Sequence, residues 1–279
     1  MKNETAISLL VKEFDTGTVY NSISGLRQAQ DISWIIELLP NHNFATALDI
    51  GCGSGKFIAE FAKRNNLKQV VGIDQSQSMI DTARKNVRTI DNIVFDFHAV
   101  DILSNPKDID IFDIVTMMSV LHWLYPYEKN VLKWGREHTN PNGVFCFTIY
   151  QPLDIINGYG GTDYLVVDAL KKLGLSQTFP PQIIPIGTRT RTLEYFKYII
   201  ESYFFLERIE IRNATMKVNS QDEYIRYHLA TFGNYYLDIV PKNRQIEFLQ
   251  SLGEIAMERM KSLGFVTKMN VAAFLCRPK

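Results

Sequence analysis

The stretch "LDIGCGSGK" (48–56) sets three glycines, Gly51, Gly53 and Gly55, directly after an apolar run. Such a turn brings bare backbone close to a ligand, because glycine adopts left-handed dihedrals at no steric cost. Three ligands compete for it. A triphosphate loop needs Gly-x-x-x-x-Gly-Lys-Ser/Thr. Here Ile50 stands five positions before Gly55 and Phe57 follows Lys56, so both anchors fail. A dinucleotide fingerprint needs Gly-x-Gly-x-x-Gly. Gly51 and Gly53 fit it, but Lys56 takes the third place.

Three acids add a charge argument. Asp49 lies two residues before Gly51. A carboxylate there repels a pyrophosphate and suits a ligand that carries a cation. Asp74 follows Gly55 by 19 residues, where a carboxylate can accept both hydroxyls of a ribose. Asp101 ends the next apolar run, where a short acid can reach an adenine amino group. S-adenosylmethionine carries an ammonium and a sulfonium and no phosphate, so it fits all three acids. A nicotinamide dinucleotide accounts for Asp74 alone.

These residues need elements to hold them. "ATALDI" (45–50), "QVVGID" (69–74), "IVFDFHAV" (93–100), "FDIVTMMSV" (112–120) and "GVFCFTIY" (143–150, after the turn "NPNG") read as strands. "KFIAEFAKRNN" (56–66), "SQSMIDTARKNV" (76–87, capped by Ser76 or Ser78) and "EKNVLKWGREH" (128–138) read as helices between them. Alternation at this spacing predicts an α/β fold, a parallel sheet with helices on both faces. Ligands of such sheets bind beyond the carboxyl ends of the strands. That rule singles out 51–55, 74–75, 101–102 and 119–124.

After Tyr150 the rhythm changes. Helices are predicted at 163–174, 192–204, 220–232 and 242–264, with strands at 205–218 and 268–278. The expected organisation is an N-terminal helical segment covering the site (1–40) and a binding core (41–150). A helical cap (151–203) and closing strands (204–279) with a helical insertion at 219–264 complete it. The aromatics Tyr195, Phe196, Tyr198, Tyr203, Phe204, Phe205, Tyr235 and Tyr236 fit either a greasy pocket or a core. Helical spacing favours the core.

At this point the sequence resembles the class I S-adenosylmethionine-dependent methyltransferases. "ALDIGCGSG" resembles their first motif, "VVGID" their second and "AVDI" their third. "FDIVTMMSVLHWL" resembles their fourth strand and the loop after it. The resemblance covers roughly residues 40–150. It implies a Rossmann-like, mostly parallel seven-stranded sheet with helices on both faces and a helical cap, and S-adenosyl-L-methionine as cofactor. The cofactor site it implies comprises Tyr20, Asp49, Gly51, Cys52, Gly53, Asp74, Gln75, Met79, Asp101, Ile102 and Met118.

The loop "SVLHWLYPY" (119–127) faces the methyl group in that fold. It lacks the acid or Asn followed by Pro-Pro-aromatic found in amino-group methylases of DNA. Met117, Met118 and Ser119 stand where metal-dependent catechol methylases place an acidic ligand, so no metal is expected. "LHW" is similar to the loop of the trans-aconitate, malonyl-carrier-protein and juvenile-hormone-acid methyltransferases. That resemblance implies a small-molecule acceptor, most simply a carboxylate, and a catalytic set of His122, Trp123 and Arg27. Trp123 would donate its indole N–H to the acceptor carboxylate; the alternative is a ring packed under the cap. His122 would be a general base for a phenol or carbon acid, or a positioned hydrogen-bond donor, or a ring stacked on the cofactor. The segment "VYNSISGLRQAQDISWIIELLP" (19–40) is also similar to these families, with Tyr20 over the cofactor and Arg27 toward the acceptor. Arg27 would grip a carboxylate through two N–H groups; Gln28 and Gln30 are alternatives, and an exposed helix arginine is the plain reading.

The totals agree. A chain of 279 residues, 46% of them hydrophobic, can build one large core with an appended lid. Lys plus Arg equal Asp plus Glu at 30 each, which argues against a nucleic-acid partner. Three scattered cysteines, Cys52, Cys146 and Cys276, predict reduced thiols and a cytoplasmic setting. No apolar run reaches the length of a membrane span. Nothing in the sequence sets the oligomeric state.

Overall fold

The computed structural model describes residues 16–40, 43–87, 92–153, 159–233 and 235–279. Residues 154–158 of the expected loop at 151–163 and the first part of the expected N-terminal segment therefore lie outside the described residues. Seven strands are present: β1 Thr46–Ile50, β2 Gln69–Asp74, β3 Val94–Ala99, β4 Phe112–Met118, β5 Thr139–Pro152, β6 Phe204–Met216 and β7 Thr267–Pro278. They form one sheet in the order β3-β2-β1-β4-β5-β7-β6. The pairs β1–β2, β2–β3, β1–β4 and β4–β5 are all parallel. The Rossmann-like sheet expected from the sequence is therefore present.

Period-two alternation gives the sheet two buried faces. Leu48, Ile50, Val71, Ile73, Val115, Met117, Phe145 and Phe147 join one cluster. Ala47, Val70, Ile114, Val144 and Cys146, their sequence neighbours, join the other. Helices α2 Ile32–Leu38, α3 Lys56–Lys63 and α4 Gln77–Asn86 cover the second face. Helices α5 Glu128–Glu137 and α8 Leu193–Ile200 cover the first. Helix α8 differs from the expected cap assignment. Its Phe196, Ile199 and Ile200 are buried against the sheet with Phe147 and Phe274.

Boundaries moved for local reasons. Ser76, not Ser78, caps α4, its hydroxyl accepting from the Met79 N–H. Strand β4 stops at Met118 because Ser119 turns to a φ of +64°, its N–H held by the Thr148 hydroxyl at 2.9 Å. The "NPNG" turn lies inside β5, where the register with β4 shifts between Phe112 and Ile114. Of the aromatics, Phe196, Phe204 and Tyr236 are core, whereas Tyr198 and Phe205 are exposed.

Close contacts divide the chain into two units. Residues 28–151, 189–212 and 270–279 carry the sheet and its helices. The second unit gathers the described residues up to Arg27 with 152–188 and 213–269. It contains helices α1 Thr16–Ile23, α6 Gly161–Lys172, α9 Gln221–Phe232 and α10 Gln245–Leu263. Between α6 and α8 lies the short helix α7 Ile186–Arg189. Within the helical unit, α9 packs on α1 and α10, and α10 on α6.

The organising group of the helical unit is Asp163, which is fully buried. Its carboxylate accepts from the N–H groups of Gly160 (2.8 Å), Ile186 (2.9 Å) and Gly187 (2.8 Å) and from the Tyr236 hydroxyl (2.6 Å). Every partner is a donor, so only an all-acceptor side chain satisfies the set. Asp163→Asn turns one oxygen into a donor facing donors. Each stranded group costs about 1–3 kcal/mol. The expected loss is about 2 kcal/mol or more of unfolding free energy, measured by chemical denaturation.

Candidate active site

The glycine turn begins where β1 ends. Gly51, Gly53 and Gly55 have φ of +67°, +53° and +78°. The N–H groups of Gly51 and Cys52 both donate to the Ile73 carbonyl, at 2.7 and 3.0 Å. A Cβ on Gly51 would lie 2.3 Å from Val120 Cγ2, so glycine is required on steric as well as dihedral grounds. Val120 follows β4, the other strand next to β1. The contact thus marks the point where the strand order reverses, the usual ligand crevice of such sheets.

Asp74 ties the crevice together. One carboxylate oxygen accepts from the Gly53 N–H at 3.0 Å and the other from the Ser76 N–H at 2.9 Å. Burial raises its pKa and these two amides pull it back. Each oxygen retains a lone pair for a further donor. Asp101 is exposed; one of its carboxylate oxygens accepts from the Leu103 N–H at 2.9 Å and caps a short turn.

A pocket lies beyond these strand ends. Gly51, Asp74, Gln75, Asp101, Ile102, Val120 and Trp123 are among its lining residues. Six predicted residues therefore come together there. Asp49 is instead buried beneath the turn, its carboxylate accepting from the Thr116 hydroxyl at 2.7 Å. Its pKa is pushed up to about 7, first by burial, with the Thr116 bond opposing and the Asp74 charge adding to the rise. Cys52 turns its thiol into the core, where burial pushes the pKa up. Gly53 contributes its N–H to Asp74. Met79 is buried in α4, and Met118 packs against the second core cluster.

Tyr20 and Arg27 belong to the helical unit. Arg27 is fully buried rather than an exposed helix arginine, with Nε 3.3 Å from the Met269 sulfur.

The loop after β4 forms a helical turn, Leu121–Leu124. It turns His122 inward to 5% exposure. The imidazole lies 5.2 Å from the Trp123 ring and 5.4 Å from the Tyr150 ring, centre to centre. Its pKa is pushed down to about 3, by burial first and then by the Arg189 charge. Nδ1 has no hydrogen-bond partner among the described residues.

Sequence reasoning missed Ser119, Tyr150 and Arg189. The Ser119 hydroxyl hydrogen-bonds the Tyr150 hydroxyl at 2.6 Å. The Arg189 guanidinium stands 5.9 Å from the Trp123 ring centre. Arg189 is 66 residues from Trp123, so only tertiary contact could link them. Among the described residues, no three His, Cys, Asp or Glu side chains form a metal-binding group. No described helix is long and apolar enough to cross a membrane.

Comparison with known proteins matches residues 47–143 to the model of a methyltransferase domain. Residues 47–143 thus form a methyltransferase domain of the class I S-adenosylmethionine-dependent type. Trans-aconitate 2-methyltransferase of Deinococcus radiodurans is 30% identical over 112 residues, 40% of each chain. Malonyl-[acyl-carrier protein] O-methyltransferase of Halalkalibacterium halodurans is 27% identical over 135 residues, 42% of this chain and 49% of that one. The match thus spans less than half the length of these relatives. A methyltransferase of Geobacter sulfurreducens, solved with S-adenosyl-L-homocysteine, superposes with a TM-score of 0.56 at 14% identity. That superposition covers 91% of this chain and 92% of the other, and speaks for the fold alone. The matched span of the methyltransferase domain includes the glycine turn, Asp74, Asp101 and the His122–Trp123 loop.

The buried Asp49 gives this domain a pH signature. Its pKa rises from 3.8 to about 7 in the folded chain, so the folded state holds the proton longer than the unfolded one. The stability this contributes is full below the unfolded value and is lost as pH climbs toward the folded one. Asp49→Asn has no such loss. Without cofactor it is expected to melt higher than the parent at pH 8 and to converge with it near pH 4, read by thermal unfolding.

Proposed function

We propose that this chain transfers the methyl group of S-adenosyl-L-methionine to a small-molecule carboxylate. The observation that carries the acceptor class is the state of His122. A base for a phenol, amine or carbon acid works best with a pKa near the working pH. A buried imidazole held at about 3 beside a cation is a poor proton acceptor at neutral pH. A carboxylate is already ionised and needs no base. The relatives named for trans-aconitate and malonyl-carrier protein support the same class.

The donor set fits the cofactor. Asp74 has acceptor capacity left for a ribose diol, and Asp101 stands farther along the same pocket wall. Gly51 admits no side chain, because Val120 of the same pocket wall occupies the space a Cβ would need. Asp49 is a buried acid whose ionisation a nearby cation would favour. Bound S-adenosylmethionine supplies a methyl carbon activated by its positive sulfur.

What the protein must do is align. A carboxylate lone pair attacks the methyl carbon in line, the carbon–sulfur bond breaks, and its electron pair leaves with sulfur. No proton moves. In this reading Trp123 orients the acceptor oxygen through its indole N–H, and His122 fixes the Trp123 ring through the contact between them. Alignment alone is worth on the order of 7–11 kcal/mol.

Two measurements test the reading. Calorimetry of Asp74→Ala is expected to show at least tenfold weaker binding of S-adenosylmethionine, because a charged hydrogen bond is worth about 1.5–3 kcal/mol. Unchanged affinity would remove the cofactor assignment. A labelled-methyl screen of carboxylic acids, phenols and amines then identifies the acceptor. On that acceptor Trp123→Phe is expected to lower kcat/KM about tenfold or more, from one unpaired oxygen. His122→Ala is expected to be milder, with no rate rise near pH 6.5. A severe His122 defect that follows pH would favour the base-catalysed O-, N- or C-transfer instead.

A further inference from the structure

We propose that Ser119 and Tyr150 are positioning residues of the methyl-transfer site: their hydroxyl pair holds the bend that sets Val120 against the glycine turn and Trp123 in the pocket wall. The proposal rests on the cofactor reading above and deepens it. Ser119 follows the last residue of β4 with a φ of +64°. Among the described residues, the other non-glycine residues with positive φ are Asn92 and Asn105. Asparagine visits that region more readily than serine, because its short amide bonds to the nearby backbone. Such a conformation persists only where the surroundings over-determine it, and it clusters at functional sites.

Two side chains of β5 constrain the bend. Met118 pairs with Thr148 in the parallel ladder. One residue later the Ser119 N–H donates to the Thr148 hydroxyl at 2.9 Å instead of to a backbone carbonyl. The Ser119 hydroxyl donates to the Tyr150 hydroxyl at 2.6 Å. Thr148 and Tyr150 stand two apart on β5 and so share one side of it. The bend is thus anchored at its backbone by one hydroxyl and at its side chain by another.

What the bend delivers is the pocket wall. Val120 follows it directly, and its Cγ2 takes the space that a Cβ on Gly51 would need. The Val120 carbonyl then accepts from the Trp123 N–H at 2.8 Å, which opens the turn Leu121–Leu124. Val120 and Trp123 both line the pocket with Gly51 and Asp74. The Tyr150 ring also lies 5.4 Å from the His122 ring, centre to centre. One tyrosine therefore holds the start of the loop through its hydroxyl and packs on its middle through its ring. Without the hydroxyl pair the left-handed φ relaxes, and Val120 and Trp123 shift together.

The test uses the full chain and S-adenosylhomocysteine, titrated by calorimetry well below the melting temperature of every protein compared. The variants are Ser119→Gly, Tyr150→Phe and the two combined. Glycine keeps the left-handed φ accessible but carries no hydroxyl. Phenylalanine keeps the ring beside His122 and loses only the hydroxyl. Each single variant is expected to weaken binding about tenfold, the worth of one hydrogen bond. The combined variant is expected to bind within about twofold of the weaker single, because both changes remove the same bond. A role confined to stability would lower the melting temperature and leave these affinities unchanged, which would overturn the proposal. A combined loss equal to the product of the single losses would overturn it too. If Ser119→Gly melts early, Tyr150→Phe decides alone: weaker binding supports the proposal and parental binding ends it. A parent that does not bind S-adenosylhomocysteine would retire both this role and the cofactor reading. A parent that binds it, with Asp74→Ala weakened and the hydroxyl variants unchanged, would retire the Ser119–Tyr150 role alone.

Discussion

The site depends on one carboxylate spanning two turns. Asp74 accepts from Gly53 in the turn after β1 and from Ser76 in the turn after β2. Two backbone segments that carry no side-chain information are thereby fixed relative to each other. Three left-handed glycines within five positions would otherwise be a soft loop, since glycine loses more freedom on folding than any other residue. The Ile73 carbonyl, one residue before Asp74, completes the clamp by accepting from Gly51 and Cys52. The same residue offers acceptor capacity at the pocket wall, so the scaffold and the ligand share one group.

Burial shifts the titratable groups around this centre toward their neutral forms. Asp49 is raised to about 7 and His122 is lowered to about 3. The causes are the same, loss of water, and the signs are opposite because the charged forms are opposite. His122 has an added reason to stay neutral in the Arg189 charge. Three unlike groups thus lie near these strand ends: a buried acid beneath the glycine turn, a buried imidazole in the loop after β4, and a guanidinium 5.9 Å from the Trp123 ring centre.

The helical unit is built on a different device. Asp163 gathers donors from the residue capping α6, from α7 and from Tyr236, so one side chain ties together two of the three stretches of chain that build the unit. Such convergence leaves no periodic trace. A reader of the sequence meets Asp163 as an acid in the first turn of a helix and nothing more.

What the sequence determined by itself is the part of the fold made by local rules. Alternating apolar residues specified the strands, glycine spacing specified the turn, and the strand-end position of Asp74 and Asp101 specified the pocket wall. Each of these depends on neighbours within a few residues. Tertiary structure alone decided the rest. It buried Asp49 under the turn, because the odd-numbered face of β1 meets the second core. It moved α8 from the expected cap to the sheet, because Phe196, Ile199 and Ile200 fill the space beside Phe147 and Phe274. It buried His122 and lowered its pKa, since a pKa is set by water exclusion and distant charge, here from Arg189. Residues 66 positions apart meet only when the chain has closed, and no local pattern encodes that meeting.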